Sequence, residues 1–166
     1  DRDKQAIGMV WEEPTATNYD ARFYWSADNP KQLDDVTDED GNTTTGLKTL
    51  WKAKQNEICA SLLAPSDWRV VKELEVNTSF SAAKTAYPTE WQTYRAAVRT
   101  ACNTRQTEID ACADVAALKE LLFGAPTVQQ QQTDADGNDV VDDYGNAVME
   151  TVANPNLATA WPDEPS

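Results

Sequence analysis

The side chains most able to do chemistry here are carboxylates, and they gather at turns. "DEDGN" at 38–42 and "DADGND" at 134–139 share an Asp-x-Asp-Gly-Asn core. Alternating oxygen ligands open a calcium loop, but an EF-hand also needs its glycine at position 6 and a glutamate at position 12. Counted from Asp38 or Asp134, the glycines Gly41 and Gly137 both fall at position 4. Asp-Gly-Asn in that place is turn chemistry. Solvated β-turns are therefore the expected reading, and a calcium site of another geometry is the lesser alternative. Paired carboxylates also drive glycoside hydrolysis, yet nothing in the sequence marks one pair as inward-facing.

The remaining reactive types narrow the field. The chain has no histidine, which removes the usual general base, the commonest metal ligand and the Ser-His and Cys-His nucleophile pairs. It has no GxGxxG, phosphate loop, CxxC pair or GxSxG. The expectation is a protein without catalytic residues, cofactor or metal. Three cysteines stand at Cys59, Cys102 and Cys112. On one helix, Cys102 and Cys112 lie about 15 Å apart, too far for a disulfide. All three read as small buried side chains in a protein made in a reducing compartment. Arg95 and Arg99 stand four apart, as surface arginines that pair with acids do.

These residues sit in a chain of 166 residues carrying 28 Asp and Glu against 14 Lys and Arg, a net charge of −14. A chain of this length buries roughly 70% of its unfolded surface, enough for a core. The charge opposes nucleic acid binding, which needs cations to displace phosphate counterions. No apolar run approaches the ~20 residues of a bilayer span, and no signal-peptide pattern stands at the start. Beginning at Asp1, the chain is expected to be a processed or truncated product.

The expected fold class is α+β: an N-terminal β region packed on a small helical bundle, with a protruding C-terminal β meander. The expected organisation is a compact domain over 1–126, a hairpin or meander arm over 127–153 and an extended tail over 154–166. "ARFYWS" at 21–26 has strand character, with "AIGMVWEE" at 6–13 as its partner. "KQLDDVT" then leads into the Asp40-Gly41-Asn42 turn. Leu47, Trp51, Ile58 and Leu62 mark a helix near 45–63, which Pro65 ends. From Trp68 the period becomes two, predicting a strand over 68–76 with Trp68 packed under the preceding helix. Thr89 and Gln92 form a capping box for a helix over 90–112, whose stripe is Trp91, Tyr94, Val98, Ala101, Cys102, Ile109 and Cys112. Asp114 caps a short helix over 115–123, closed by Gly124 and Pro126. The polar arm has turns at 136–138 and 144–146 among short strands, with Gln129–Gln132 as a polar strand. Trp161-Pro162 lays an extended tail back on the domain.

"LLAPSDWRVVKELE", "WQTYRAAVRT" and a terminal "WPDEP", in that order, resemble the tail-fibre and tail-assembly-chaperone modules of tailed bacteriophages. "YDARFYWSADNPKQLDDV" and "TGLKTLWKAKQNEICASLL" are similar to structural proteins of contractile-tailed phages of marine cyanobacteria. The matching positions are Ser66, Asp67 and Trp68, then Tyr94, Arg95 and Arg99, then Trp161 and Pro162. The resemblance covers most of residues 19–123 and the end. It implies a virion structural protein of a tail, baseplate or tail fibre, made in the host cytoplasm, with packing or partner contacts at these residues. Its partners are then other virion proteins, with a homo-oligomer also compatible, and neither nucleic acid nor membrane insertion is implied. The extra helix, the acidic meander and the β region before the module suit a virion subunit better than a small chaperone. A non-virion tail-fibre assembly chaperone is the alternative. A second is a host-glycan-binding tip that uses aromatics such as Trp11 or Trp25. For a virion subunit, the arm is the candidate attachment device, its acids Asp134, Asp136, Asp139, Asp142 and Asp143 limiting promiscuous edge pairing; the alternative is a solvated excursion with no partner.

Overall fold

The computed structural model describes residues 19–78 and 88–165. The chain divides into two units, residues 1–31 and 32–166. In the first, β1 (Tyr24–Ser26) pairs antiparallel with β2 (Asn29–Pro30), with a register shift between Tyr24 and Ser26. The Lys31 ammonium donates to the Ala21 carbonyl (2.6 Å) and lies 4.7 Å from the centre of the Trp25 ring. β1 thus finds its partner a few residues downstream. The expected partner at 6–13 lies outside the described residues.

The second unit is mixed α+β. β3 (Val36–Thr37) pairs antiparallel with β4 (Thr43–Thr44) across the 38–42 turn. That hairpin delivers α1 (Leu47–Thr78) with its first turn already satisfied. The first N–H groups of a helix have no partner within it. Here Leu47 and Lys48 donate to the carbonyls of Gln32 and Leu33. The Asp35 carboxylate accepts from Gly46 N–H (2.7 Å) and the Thr49 hydroxyl (3.0 Å). Gly46 is required by close approach, because a Cβ there would stand 2.4 Å from the Asp34 carbonyl carbon.

α1 corrects the sequence reading. It runs through Pro65 and turns the expected strand over 68–76 into its own C-terminal half. A proline inside a helix costs about 3 kcal/mol, and tertiary contacts offset it. The positions facing the second helix run 55, 59, 62, 66 and 69, a spacing of four and three that crosses the proline without interruption. Ser66 is fully buried, Leu62 and Arg69 half-buried, and Pro65 itself exposed. Its missing N–H removes the helix's own donor to the carbonyl of Ser61, an exposed residue. Trp68 is a second correction. It points outward, 55% exposed, with Val70, Val71 and Leu74 also exposed.

α2 (Thr89–Ala111) lies against α1 and carries the expected stripe: Trp91, Tyr94, Val98, Ala101, Cys102 and Ile109 are buried, and Cys112 half-buried. Its cap differs from expectation. Pro88 takes the N-cap position, its carbonyl accepting from Trp91 and Gln92, and Thr89 is already the first helical residue. The restricted φ of proline (−54° here) sets the entry without a side-chain cap. α3 (Val115–Phe123) starts as expected, with the Asp114 carboxylate accepting from Ala117 N–H at 2.7 Å. It ends at Gly124, where a Cβ would meet the Glu120 carbonyl at 2.5 Å.

The chain then leaves as β5 (Thr127–Gln131), paired in five-residue register with β6 (Met149–Ala153). Between them are two further hairpin turns, at 134–138 and 142–146. Three backbone bonds close a ring where the hairpins meet. Gln132 donates to Val148 (2.8 Å), Val148 to Val140 (3.0 Å) and Val140 to Gln132 (2.8 Å). The arm is thus three-leaved rather than a plain meander. Beyond it, residues 154–165 return across the helices without regular structure.

Candidate functional site

Most of the residues singled out by the resemblance come together at the proline turn of α1. The Tyr94 hydroxyl donates to the Leu62 carbonyl at 3.3 Å. The Leu63 carbonyl accepts from the Ser66 hydroxyl (2.8 Å) and from Arg95 Nη1 (3.0 Å). The same Arg95 nitrogen reaches Ser66 Oγ at 2.5 Å and Asp67 Oδ1 at 2.8 Å. One guanidinium therefore binds a main-chain oxygen, a buried hydroxyl and a carboxylate next to the residue that disrupts the helix. The Arg95 side chain is 13% exposed and that of Asp67 60%. The pair stands at a surface opening, and its value lies in the buried carbonyl and hydroxyl it serves.

An aromatic stack flanks this polar knot. Trp91 and Tyr94 meet edge to face, with ring centres 5.8 Å apart. The Arg69 guanidinium lies 4.3 Å from the Trp91 ring and 4.8 Å from Trp68, while Lys72 sits 5.9 Å from Trp68. Stacking on tryptophan faces is favourable for a cation and accounts for Arg69, whose buried Nε has no hydrogen-bond partner among the described residues. Trp161 joins from the tail and packs on Trp91, Tyr94 and Val98, together with Cys59, Leu62 and Leu63. Burial pushes the Tyr94 phenol above its ordinary value, and Glu164 adds to the effect. Pro162 is half-buried beside Trp161. Arg99 remains exposed on α2, apart from the knot.

The clamp that seats the tail was missed in the sequence. Glu108 accepts from Thr159 N–H (3.0 Å) and the Thr159 hydroxyl (2.5 Å), and Arg105 donates to the Thr159 carbonyl. Arg105 also binds the Gln55 side chain (2.7 Å) and lies 5.3 Å from the Trp161 ring. Burial lowers its pKa from the ordinary value. Farther along, Asn154 donates to Glu120 (2.6 Å) and the Ala125 carbonyl. The only sequence signal was the Arg105-x-x-Glu108 spacing, which puts both on one helix face. A groove of about 610 Å³ opens here beside Glu108, Cys112, Glu120 and Leu157, and both of its carboxylates are already engaged.

The acids of the arm do something more local than ligand binding. Asp134 Oδ1 accepts from the N–H groups of Asp136 and Asn138, both at 2.9 Å. Asp142 repeats this with Tyr144 and Asn146, and Asp38 with Asp40 and Asn42. The three turns share Asp-x-x-Gly-Asn, with Gly41, Gly137 and Gly145 at φ 85°, 84° and 82°. No Cβ is tolerated cheaply at such a φ. Two of the turns lie eight residues apart, a repeat in which only four of the eight residues match. Hydrogen bonds from the asparagine hold all three carboxyls below the usual range. Asp136, Asp139 and Asp143 are exposed on the leaves. Among the described residues no group of three acids or cysteines is placed to hold a metal, and no helix is long and apolar enough to cross a membrane.

No family model, curated protein or solved structure matches this chain.

Proposed function

We propose that this protein is a non-enzymatic structural component of a bacteriophage virion, in a tail, baseplate or tail fibre, that holds its neighbours through the arm. The observation that carries this reading is the arm's economy: no residue from 127 through 153 is buried, yet every leaf is closed by specific hydrogen bonds. A defined shape without a core of its own suits a surface offered to a partner. The outer backbone edges of β5 and β6 are available for strand addition. The exposed acids discourage promiscuous pairing and steer the arm toward a basic patch on the correct neighbour. The arm springs from the end of α3, where Asn154 holds Glu120 and the Ala125 carbonyl at its base.

The test is compositional. Mass spectrometry of purified particles of the phage that encodes the chain should find it at a copy number matching tail symmetry. Absence from particles, with binding to unassembled fibre, would instead make it an assembly chaperone. The glycan-binding alternative has one observation in its favour, the 67% exposure of Trp25; Trp11 lies outside the described residues. Deleting 127–153 sharpens the attachment claim. The shortened protein should fold and fail to enter particles, and normal incorporation would exclude the arm as the device.

A further inference from the structure

The contact between α1 and α2 brings two cysteines within about one helical turn of each other. The helices run antiparallel, and their polar contacts define the register. Gln55 meets Arg105 and Asn56 meets Gln106 at one end, and Leu62 and Leu63 meet Tyr94 and Arg95 at the other. Cys59 lies midway along α1 between those contacts, and Cys102 lies midway along α2. Cys102 Sγ is 3.8 Å from the Gln55 carbonyl and 3.5 Å from Asn56 Oδ1, one turn before Cys59. Cys59 packs against the Trp91, Tyr94 and Val98 cluster of α2, and Val98 stands one turn before Cys102; the neighbouring Cys102 disfavours the Cys59 thiolate. Ala101 and the two cysteines keep the side chains small along this stretch of the contact.

We propose that Cys59 and Cys102 are an oxidisable pair, joined by a disulfide that staples α1 to α2 when the protein meets a peroxide. Neither residue has a role in the functional reading above, and the proposal stands apart from it. Cys59 is half-buried and Cys102 buried, so the oxidant reaches Cys59 first. The Cys59 thiolate attacks hydrogen peroxide, taking one oxygen to become a sulfenic acid and releasing hydroxide. The Cys102 sulfur then attacks the Cys59 sulfur. The S–S bond forms as the S–O bond breaks, and the departing hydroxide leaves as water with the Cys102 proton. Two thiols and one peroxide give one disulfide and two waters.

The environment argues for a slow, selective reaction. Burial and the neighbouring Cys102 push the Cys59 thiol up, while Arg99 of α2 favours its thiolate. Cys112 is the internal control. It sits ten residues farther along α2, half-buried, and its thiol is pushed up by burial. No second cysteine lies within a disulfide's reach on its own helix.

The experiment treats the full chain with excess hydrogen peroxide and follows intact mass and proteolytic peptides. The expected product is a monomer that has lost two hydrogens, in which the peptide of Cys59 is linked to that of Cys102. Reduction should restore the mass. Cys112→Ser should leave the yield unchanged. Cys59→Ser and Cys102→Ser should each abolish the loss. The oxidised protein should melt at a higher temperature than the reduced form. Sulfinic acid at Cys59 without a crosslink would overturn the proposal. So would a link to Cys112, a covalent dimer, or no change in mass. The wild-type mapping decides even if one variant fails to fold.

Discussion

In the proline turn of α1, the hydrogen bonds from Tyr94 and Arg95 span 29 or 32 residues of sequence. In the arm, the bonds from Asp134 reach only two or four residues ahead. Both regions use polar side chains to satisfy main-chain groups. The first does so where one helix docks on another and the donors come from across the contact. The second does so where the chain turns on itself. The difference separates two kinds of stability. The knot exists only while α1 and α2 are docked, and each leaf closes through its own five residues. Removing packing should therefore collapse the first region and spare the local geometry of the second.

The largest effect is expected from Trp91→Ala, which deletes the ring on which Tyr94, Arg69 and Trp161 all rest. Loss of a buried tryptophan should lower unfolding stability by about 3–5 kcal/mol, read from the urea midpoint. Equal loosening of the leaves in hydrogen exchange would break the comparison.

Arg95→Ala comes next. It removes the donor to the Leu63 carbonyl and the partner of Ser66 and Asp67, at about 2–3 kcal/mol. Exchange should rise first at amides 66–75, beyond the proline. Arg95→Lys should restore only part of the loss, since an ammonium lacks the guanidinium's planar fork. An unchanged midpoint in Arg95→Ala would show that the helix crosses Pro65 without help.

A smaller, local effect is expected in the arm. Gly137→Ala or Gly145→Ala places a side chain at positive φ, costing about 1–2 kcal/mol at that turn. The helical circular-dichroism transition should stay in place while the altered leaf exchanges faster. Even in the unaltered protein, amides of 127–153 should open more easily than those of α2, because the arm has few apolar contacts. Equal protection would mean that the arm and helices unfold together.

Acid should produce the smallest change. The carboxyls of Asp134 and Asp142 are held below their ordinary value by the asparagines that bond them. A depressed folded pKa contributes stability that is fully present above the unfolded value, about 4. That contribution fades as pH falls through the folded value. Amide resonances of Gly137 and Gly145 should therefore hold steady down to about pH 4 and shift only below it. Movement near neutrality would show that the carboxylates are not the turn caps.

Much was legible in the chain because the relevant physics is local. An aspartate four residues before an asparagine, with a glycine between, closes the same turn at 38, 134 and 142 whatever surrounds it. The α2 stripe, the Asp114 cap and the stop at Gly124 follow from helical period and backbone sterics. The course of α1 was not legible. Pro65 is a local stop signal, and Trp68, Val70, Leu74 and Val76 imitate a strand. The face that continues the helix is marked by Ser66 and Arg69, two polar residues that no apolar periodicity detects. Only the docked α2 makes them inward positions, by supplying Arg95 for the hydroxyl and Trp91 for the guanidinium. The tail clamp at Arg105, Glu108 and Thr159 was hidden for the same reason: its partners stand some fifty residues apart. Sequence alone decides a structure whose donors and acceptors are neighbours along the chain. Where a main-chain oxygen of one helix is bound from another, the tertiary structure decides.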